Sequence, residues 1–134
     1  MAGSYEIIKI DAYEDFRGEL KKVFKKTMLS DHKSIEEIYV LYTNKGGIRG
    51  NHYHKRNIEF FTVLKGIATI ALKDLEKGEA DFLRVSASDD IVIKVPENVV
   101  HGFRNDEEED LIILAAASSQ YDPKDTDTYT FQLF

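Results

Sequence analysis

Period-two alternation in short runs, each broken by turn-forming residues, is the pattern that most limits what this chain can become. Residues 66–72 set Ile67, Thr69 and Ala71 against Ala68, Ile70 and Leu72, and Ile38, Val40 and Tyr42 share one face of another run. Side chains alternate across a strand, so these runs read as strands and not as helices. Further strands are expected at residues 6–10, 19–25, 59–64, 81–85, 91–95, 99–104, 111–117 and 128–133, where β-branched and aromatic residues concentrate. Between them, Asn44-Lys45-Gly46-Gly47 and Ser88-Asp89-Asp90 are turns, residues 73–78 are a hairpin loop, and residues 28–34 hold one short helical turn. Residues 1–4 read as a frayed end. Many short strands with regular turns predict an all-β sandwich, jelly roll or small barrel.

Size and composition narrow the classes further. At 134 residues the chain fits one domain, residues 1–134, and two prolines with eight glycines leave no room for a long flexible linker. The absence of cysteine excludes disulfides, thiolate metal sites and a cysteine nucleophile. A net charge of −6 argues against nucleic-acid binding, which leaves a basic footprint. The longest purely apolar run, residues 111–117, is far too short for a membrane-spanning helix, and no basic segment precedes an apolar stretch at the start. A cytoplasmic protein that contacts neither membrane nor nucleic acid is the expectation.

Chemistry concentrates in RGNHYHKRNIEFFTVLKG, residues 49–66. His52 and His54 stand two apart, which on a strand puts both imidazoles on one face and Tyr53 on the other. Glu59 follows His54 by five residues, an odd offset that would turn it away on an unbroken strand. The polar stretch Lys55-Arg56-Asn57 offers a turn that returns Glu59 to the same side. His101, in VPENVVHGFRN, must arrive from a separate strand after Pro96. Three imidazoles and a carboxylate suit a divalent metal: zinc first, with iron, manganese or nickel as alternatives. His32 reads as solvated. Glu107 to Asp110 reads as a solvated hairpin tip, with calcium binding the lesser alternative. Phe60, Phe61, Phe82, Phe103 and Tyr42 read as core or barrel lining. The aromatic tail with Tyr121, Tyr129, Phe131 and Phe134 is expected to dock, on its own barrel or on a second copy.

These residues carry a family resemblance. Gly46, His52, His54, Glu59 and Gly66 resemble the first cupin motif at every spaced position. Pro96, His101 and Asn105 resemble the second, with Asp90 and Asn98 where that motif has glycine; both residues tolerate positive φ. DAYEDFRGELKKVF followed by IRGNHYHK, and the ending AAASSQYDPKDTDTY, resemble the sugar-nucleotide members of the RmlC-like cupin superfamily. These are 3,5-epimerases of dTDP-4-keto-6-deoxyhexoses, 3,4-ketoisomerases (WxcM-like), and the C-terminal cupin of a bifunctional capsular polysaccharide enzyme. His101 and the RGNHYH segment lean towards the last of these.

The resemblance implies a cupin jelly-roll barrel, expected as a homodimer. It implies an epimerase or ketoisomerase that removes the C3 proton of a nucleotide-linked 4-keto-6-deoxy sugar in surface polysaccharide biosynthesis. His52, His54, Glu59 and His101 would bind the metal. Arg17 and Arg49 match family arginines and would hold the substrate pyrophosphate. The residue matching His52 is the catalytic base in the metal-free dTDP-sugar epimerases, so His52 and His54 serve as bases here only without a metal. The capsular cupin is fused to a reductase, so a separate sugar reductase is the implied partner. A metal-dependent cupin oxygenase and a non-catalytic sugar-binding cupin remain the alternatives.

Overall fold

The computed structural model describes residues 4–30 and 32–134. Two five-stranded antiparallel sheets face each other. The first has the order β1 (Glu6–Lys9), β9 (Ile91–Val95), β6 (Glu59–Lys65), β11 (Leu111–Ala117) and β4 (Glu37–Thr43). The second has the order β12 (Tyr129–Thr130), β5 (Ile48–Tyr53), β10 (Val99–Arg104), β7 (Ile67–Asp74) and β8 (Asp81–Ser86). β2 (Asp11–Asp15) and β3 (Gly18–Lys22) form a separate hairpin. This is the expected all-β jelly roll.

Alternation sets the core. Phe61, Val63, Ile70, Leu72, Val95, Phe103 and Ile113 turn inward between the sheets. The opposite face of β6 is covered too: Phe60, with Val92 and Ala116, packs under Val23, Phe24, Met28, Leu29 and Ile35. That double burial explains why β6 reads Glu-Phe-Phe-Thr-Val with no polar face.

Several expectations need correction. Residues 23–25 leave the hairpin to cover Phe60, so the strand expected at 19–25 stops at Lys22. The first arm of the hairpin, β2, was not expected as a strand, because its residues are exposed and carry no apolar alternation. The helical turn expected at 28–34 is a 3-10 turn at Lys26–Met28; Asp31 lies outside the described residues, as do residues 1–3 of the expected frayed end. The tail strand shrinks to Tyr129–Thr130. Phe82 and Tyr42 are 60% and 64% exposed, because each takes the outward phase of its strand. The acidic run Glu107 to Asp110 is not a hairpin tip: it connects β10 and β11, which lie in different sheets. The buried Asn105 ties that corner, donating to the carbonyls of Thr43 and Glu109 at 2.9 Å and accepting from the Glu107 N–H at 3.0 Å.

Candidate metal centre

A bulge in β5 aims the paired histidines. His101 of β10 faces His52, but Gly102 faces Gly50, so Asn51 is the extra residue. Asn51 takes φ +57 and Gly50 takes φ +85. A Cβ on Gly50 would lie 2.7 Å from the His101 carbonyl oxygen, so only glycine lets the strands approach this closely. The Asn51 side chain accepts from the N–H groups of Leu133 and Phe134 at 3.0 and 3.2 Å, which pins the chain's end to the bulge.

Beyond the bulge, His52 and His54 point into the barrel and Tyr53 points out, stacking on Tyr129 with centroids 5.3 Å apart. Asp90 and Asn98 adopt φ +54 and +63, as expected where the motif has glycine. His101 is buried among Phe61 and Phe103, with ring centroids 5.4 and 6.0 Å away.

His52, His54, Glu59 and His101 converge, each offering a ligand atom within 4.8 Å of the others. A divalent ion about 2.0–2.2 Å from nitrogen and oxygen donors needs donors within about 4.4 Å, so the spacing is close to a ligand shell. The donor chemistry fits as well. His54 Nδ1 lies 2.7 Å from the Asp127 carbonyl oxygen, which leaves Nε2 facing Glu59 Oε1 at 2.6 Å. His101 Nε2 lies 3.4 Å from the same oxygen.

Electrostatics reflect this crowding. Burial, then the neighbouring His101 and His54 rings, press the His52 imidazole down to about 4, which keeps it neutral at pH 7. Burial opposes the charged forms of His54 and Glu59. The nearby His101 imidazole and the hydrogen bond between His54 and Glu59 outweigh it for Glu59, and that same bond does so for His54, so Glu59 is lowered and His54 raised. Among residues absent from the sequence reasoning, Tyr39 donates its hydroxyl to Glu59 Oε2, and burial followed by the Glu59 charge pushes its phenol well above the usual range. Its one sequence signal was phase: Tyr39 lies between outward Ile38 and Val40.

Two cavities meet at the cluster, sharing Tyr39 and His52. One, about 510 Å³, is lined by His54, Glu59 and the tail residues Tyr121, Asp125 and Asp127. The other, about 370 Å³, is lined by Leu41, Arg49, Phe61, His101 and Phe103. Arg49 thus borders the site, donating to the Tyr42 carbonyl at 2.8 Å and to Thr43 Oγ1 at 3.2 Å. Arg17 lines neither cavity. It sits at the β2–β3 hairpin tip, paired with Asp15 at 2.6 Å, beside a fully exposed Phe16. His32 is exposed, as expected.

Residues 13–129 match the family described as the polysaccharide biosynthesis C-terminal domain. The chain belongs to that family. Among its relatives, the spore coat polysaccharide biosynthesis protein SpsL of Bacillus subtilis is 25% identical over 95% of this chain and 87% of its own. The probable low-salt glycan biosynthesis epimerase Agl13 of Haloferax volcanii is 27% identical over 91% and 82%. The fold is that of the RmlC-type cupins. RmlC from Legionella pneumophila, solved with dTDP-4-keto-L-rhamnose, superposes at TM-score 0.82 with 18% identity, over 97% of this chain and 73% of that one. A 3,4-ketoisomerase from Helicobacter canadensis gives 0.79 at 24% identity, over 93% and 89%. The capsular polysaccharide protein CapF of Staphylococcus aureus gives 0.69 at 23% over 92% of this chain, which spans 34% of CapF. Among the described residues no helix is long and apolar enough to cross a membrane.

Proposed function

We propose that this family member is an epimerase or 3,4-ketoisomerase of a nucleotide-linked 4-keto-6-deoxy sugar in surface polysaccharide biosynthesis. In this reading a divalent cation, zinc first, is held by His52, His54, Glu59 and His101. The observation that carries it is the convergence of those four side chains where two cavities meet. The relatives support it: one is named a probable glycan biosynthesis epimerase, and the shared fold includes an epimerase solved with a 4-keto sugar nucleotide.

The chemistry starts from the substrate ketone at C4, which acidifies the C3 proton. Removal and return on the opposite face inverts C3, and return through an enediol moves the carbonyl. When bound, the cation supplies Lewis acidity towards the ketone oxygen. Phe61 and Phe103 give the site an apolar wall, which strengthens charge interactions there. Tyr39 holds its proton and orients Glu59, so it acts as a donor and not as the base. Arg49 borders the second cavity and offers a guanidinium for the diphosphate. Arg17 joins it only from a second copy, since it borders neither cavity of its own chain. A homodimer is part of this reading. It is supported by β4, which lies at a sheet edge and exposes Ile38, Val40 and Tyr42. Either reaction leaves a keto sugar, the substrate class of a separate reductase, and a cytoplasmic setting belongs to the same proposal.

The test is incubation with a UDP- or dTDP-4-keto-6-deoxy sugar in deuterated water. Deuterium should appear at C3 by NMR and be lost in His52→Ala and His101→Ala. No exchange with any such sugar would sink the proposal, and oxygen uptake by an iron-loaded protein would replace it with the oxygenase.

A further inference from the structure

The turn between His54 and Glu59 is held from outside itself. A five-residue offset lets two strand residues share a face only if the chain between them turns, and residues 55–57 make that turn. Three successive backbone N–H groups of such a turn point to one side and form an anion cradle. The carboxylate of Asp127 fills it. Oδ1 accepts from the Lys55 N–H at 2.9 Å, and Oδ2 accepts from Arg56 and Asn57 at 3.0 and 3.1 Å. The same residue presents its backbone carbonyl 2.7 Å from His54 Nδ1. To do both, Asp127 takes φ +47, a backbone conformation most side chains avoid.

We infer that Asp127 is a positioning residue for the metal centre: its carboxylate sets the turn that brings Glu59 back to His54, and its carbonyl orients the His54 ring. The inference rests on reading the four-residue cluster as a metal site. With Nδ1–H committed to the carbonyl, only Nε2 is left for the cation. Asp127 lines the first cavity but meets His54 at Nδ1 and not at Nε2, so it acts on the cluster through His54 and the turn.

The placement also links the tail to the cation. Tyr121, Asp122 and Asp125 line the cavity beside the cluster, and Asp127 is the point where this segment reaches a ligand. A cation that binds best with the tail docked must, by reciprocity, favour docking by the same factor. Zinc should therefore slow amide hydrogen exchange in residues 119–129, which supply no ligand atom.

The experiment compares wild type, Asp127→Asn and Asp127→Gly. Glycine deletes the carboxylate while easing the positive φ; asparagine keeps shape and conformation but loses the charge. Zinc affinity is measured by chelator competition, cobalt(II) absorption reports ligand geometry, and hydrogen exchange reports the tail. Asp127→Gly should bind zinc about 10–100-fold more weakly, with an altered cobalt spectrum and no zinc-induced protection of the tail. Asp127→Asn should fall between. Zinc affinity and cobalt spectrum unchanged in Asp127→Gly would overturn the inference, even if the metal-free variant melts lower, since that would leave only a structural role. If the glycine variant fails to fold, unchanged affinity in Asp127→Asn overturns it. Failure of the wild type to bind zinc or cobalt would instead remove the metal centre, and this inference with it.

Discussion

Replacing Tyr39 by phenylalanine removes one oxygen atom and keeps the ring that packs against the core. That oxygen donates to Glu59 Oε2, and Glu59 is only 3% exposed, so water does not readily replace it. Without a cation, Glu59 Oε1 keeps its hydrogen bond with His54 Nε2 and has His101 Nε2 3.4 Å away. With His54 and His101 holding a cation, neither could donate to Glu59, and Tyr39 would be the sole side-chain donor to it among the described residues. A hydrogen bond to a charged acceptor contributes about 1.5–3 kcal/mol, and a buried acceptor left alone costs a similar amount. At about 1.4 kcal/mol per tenfold, Tyr39→Phe should weaken zinc binding roughly 10–100-fold, in line with other losses of ligand support. Chelator competition at pH 7.5 measures this, with circular dichroism confirming the fold. Zinc affinity within about twofold of wild type would refute the reasoning, because the carboxylate would not then need its donor.

Further outcomes follow from the same geometry. The folded His52 imidazole titrates near 4 and the unfolded one near 6.5, so between those values the unfolded chain binds more protons. Metal-free protein should lose stability as pH falls from about 6.5 to about 4, and His52→Gln should flatten that part of the profile in denaturant titrations; an unchanged slope would contradict the shift. Gly50→Ala forces a Cβ to within 2.7 Å of the His101 carbonyl at φ +85, and should cost at least about 2 kcal/mol while weakening zinc binding. A melting temperature equal to wild type would show that the strands can separate there without penalty. Val40→Lys places a charge in the exposed apolar stripe of edge strand β4, and light scattering should then give a 15.4 kDa species where wild type gives twice that mass. A monomeric wild type would refute the homodimer, and a variant that stays dimeric would move the interface away from β4.

Local chemistry was legible in the chain itself. Alternation announced most strands, because side-chain direction on a strand depends only on position along it. The same rule put His52 and His54 together and sent Tyr53 to the other face, where it stacks on Tyr129. Asp90 and Asn98 could be assigned positive φ from their own steric tolerance, and both have it. The turn at residues 55–57 was inferable from the parity of the offset between His54 and Glu59. Phase alone does not separate an inward from an outward face, so Tyr42 and Phe82 read as interior and are exposed, while only its phase beside Val40 marks Tyr39.

What only the tertiary structure decided involves partners far apart in the chain. The Asn51 bulge exists through its pairing with β10 and through its bonds to Leu133 and Phe134. The hydroxyl of Tyr39 finds Glu59 across the intervening strand β11, and Asp127 reaches His54 from 73 residues away. No local preference encodes such meetings. They arise when hydrophobic burial closes two sheets on one another, and the polar groups then trapped inside take the partners that the closure brings within reach.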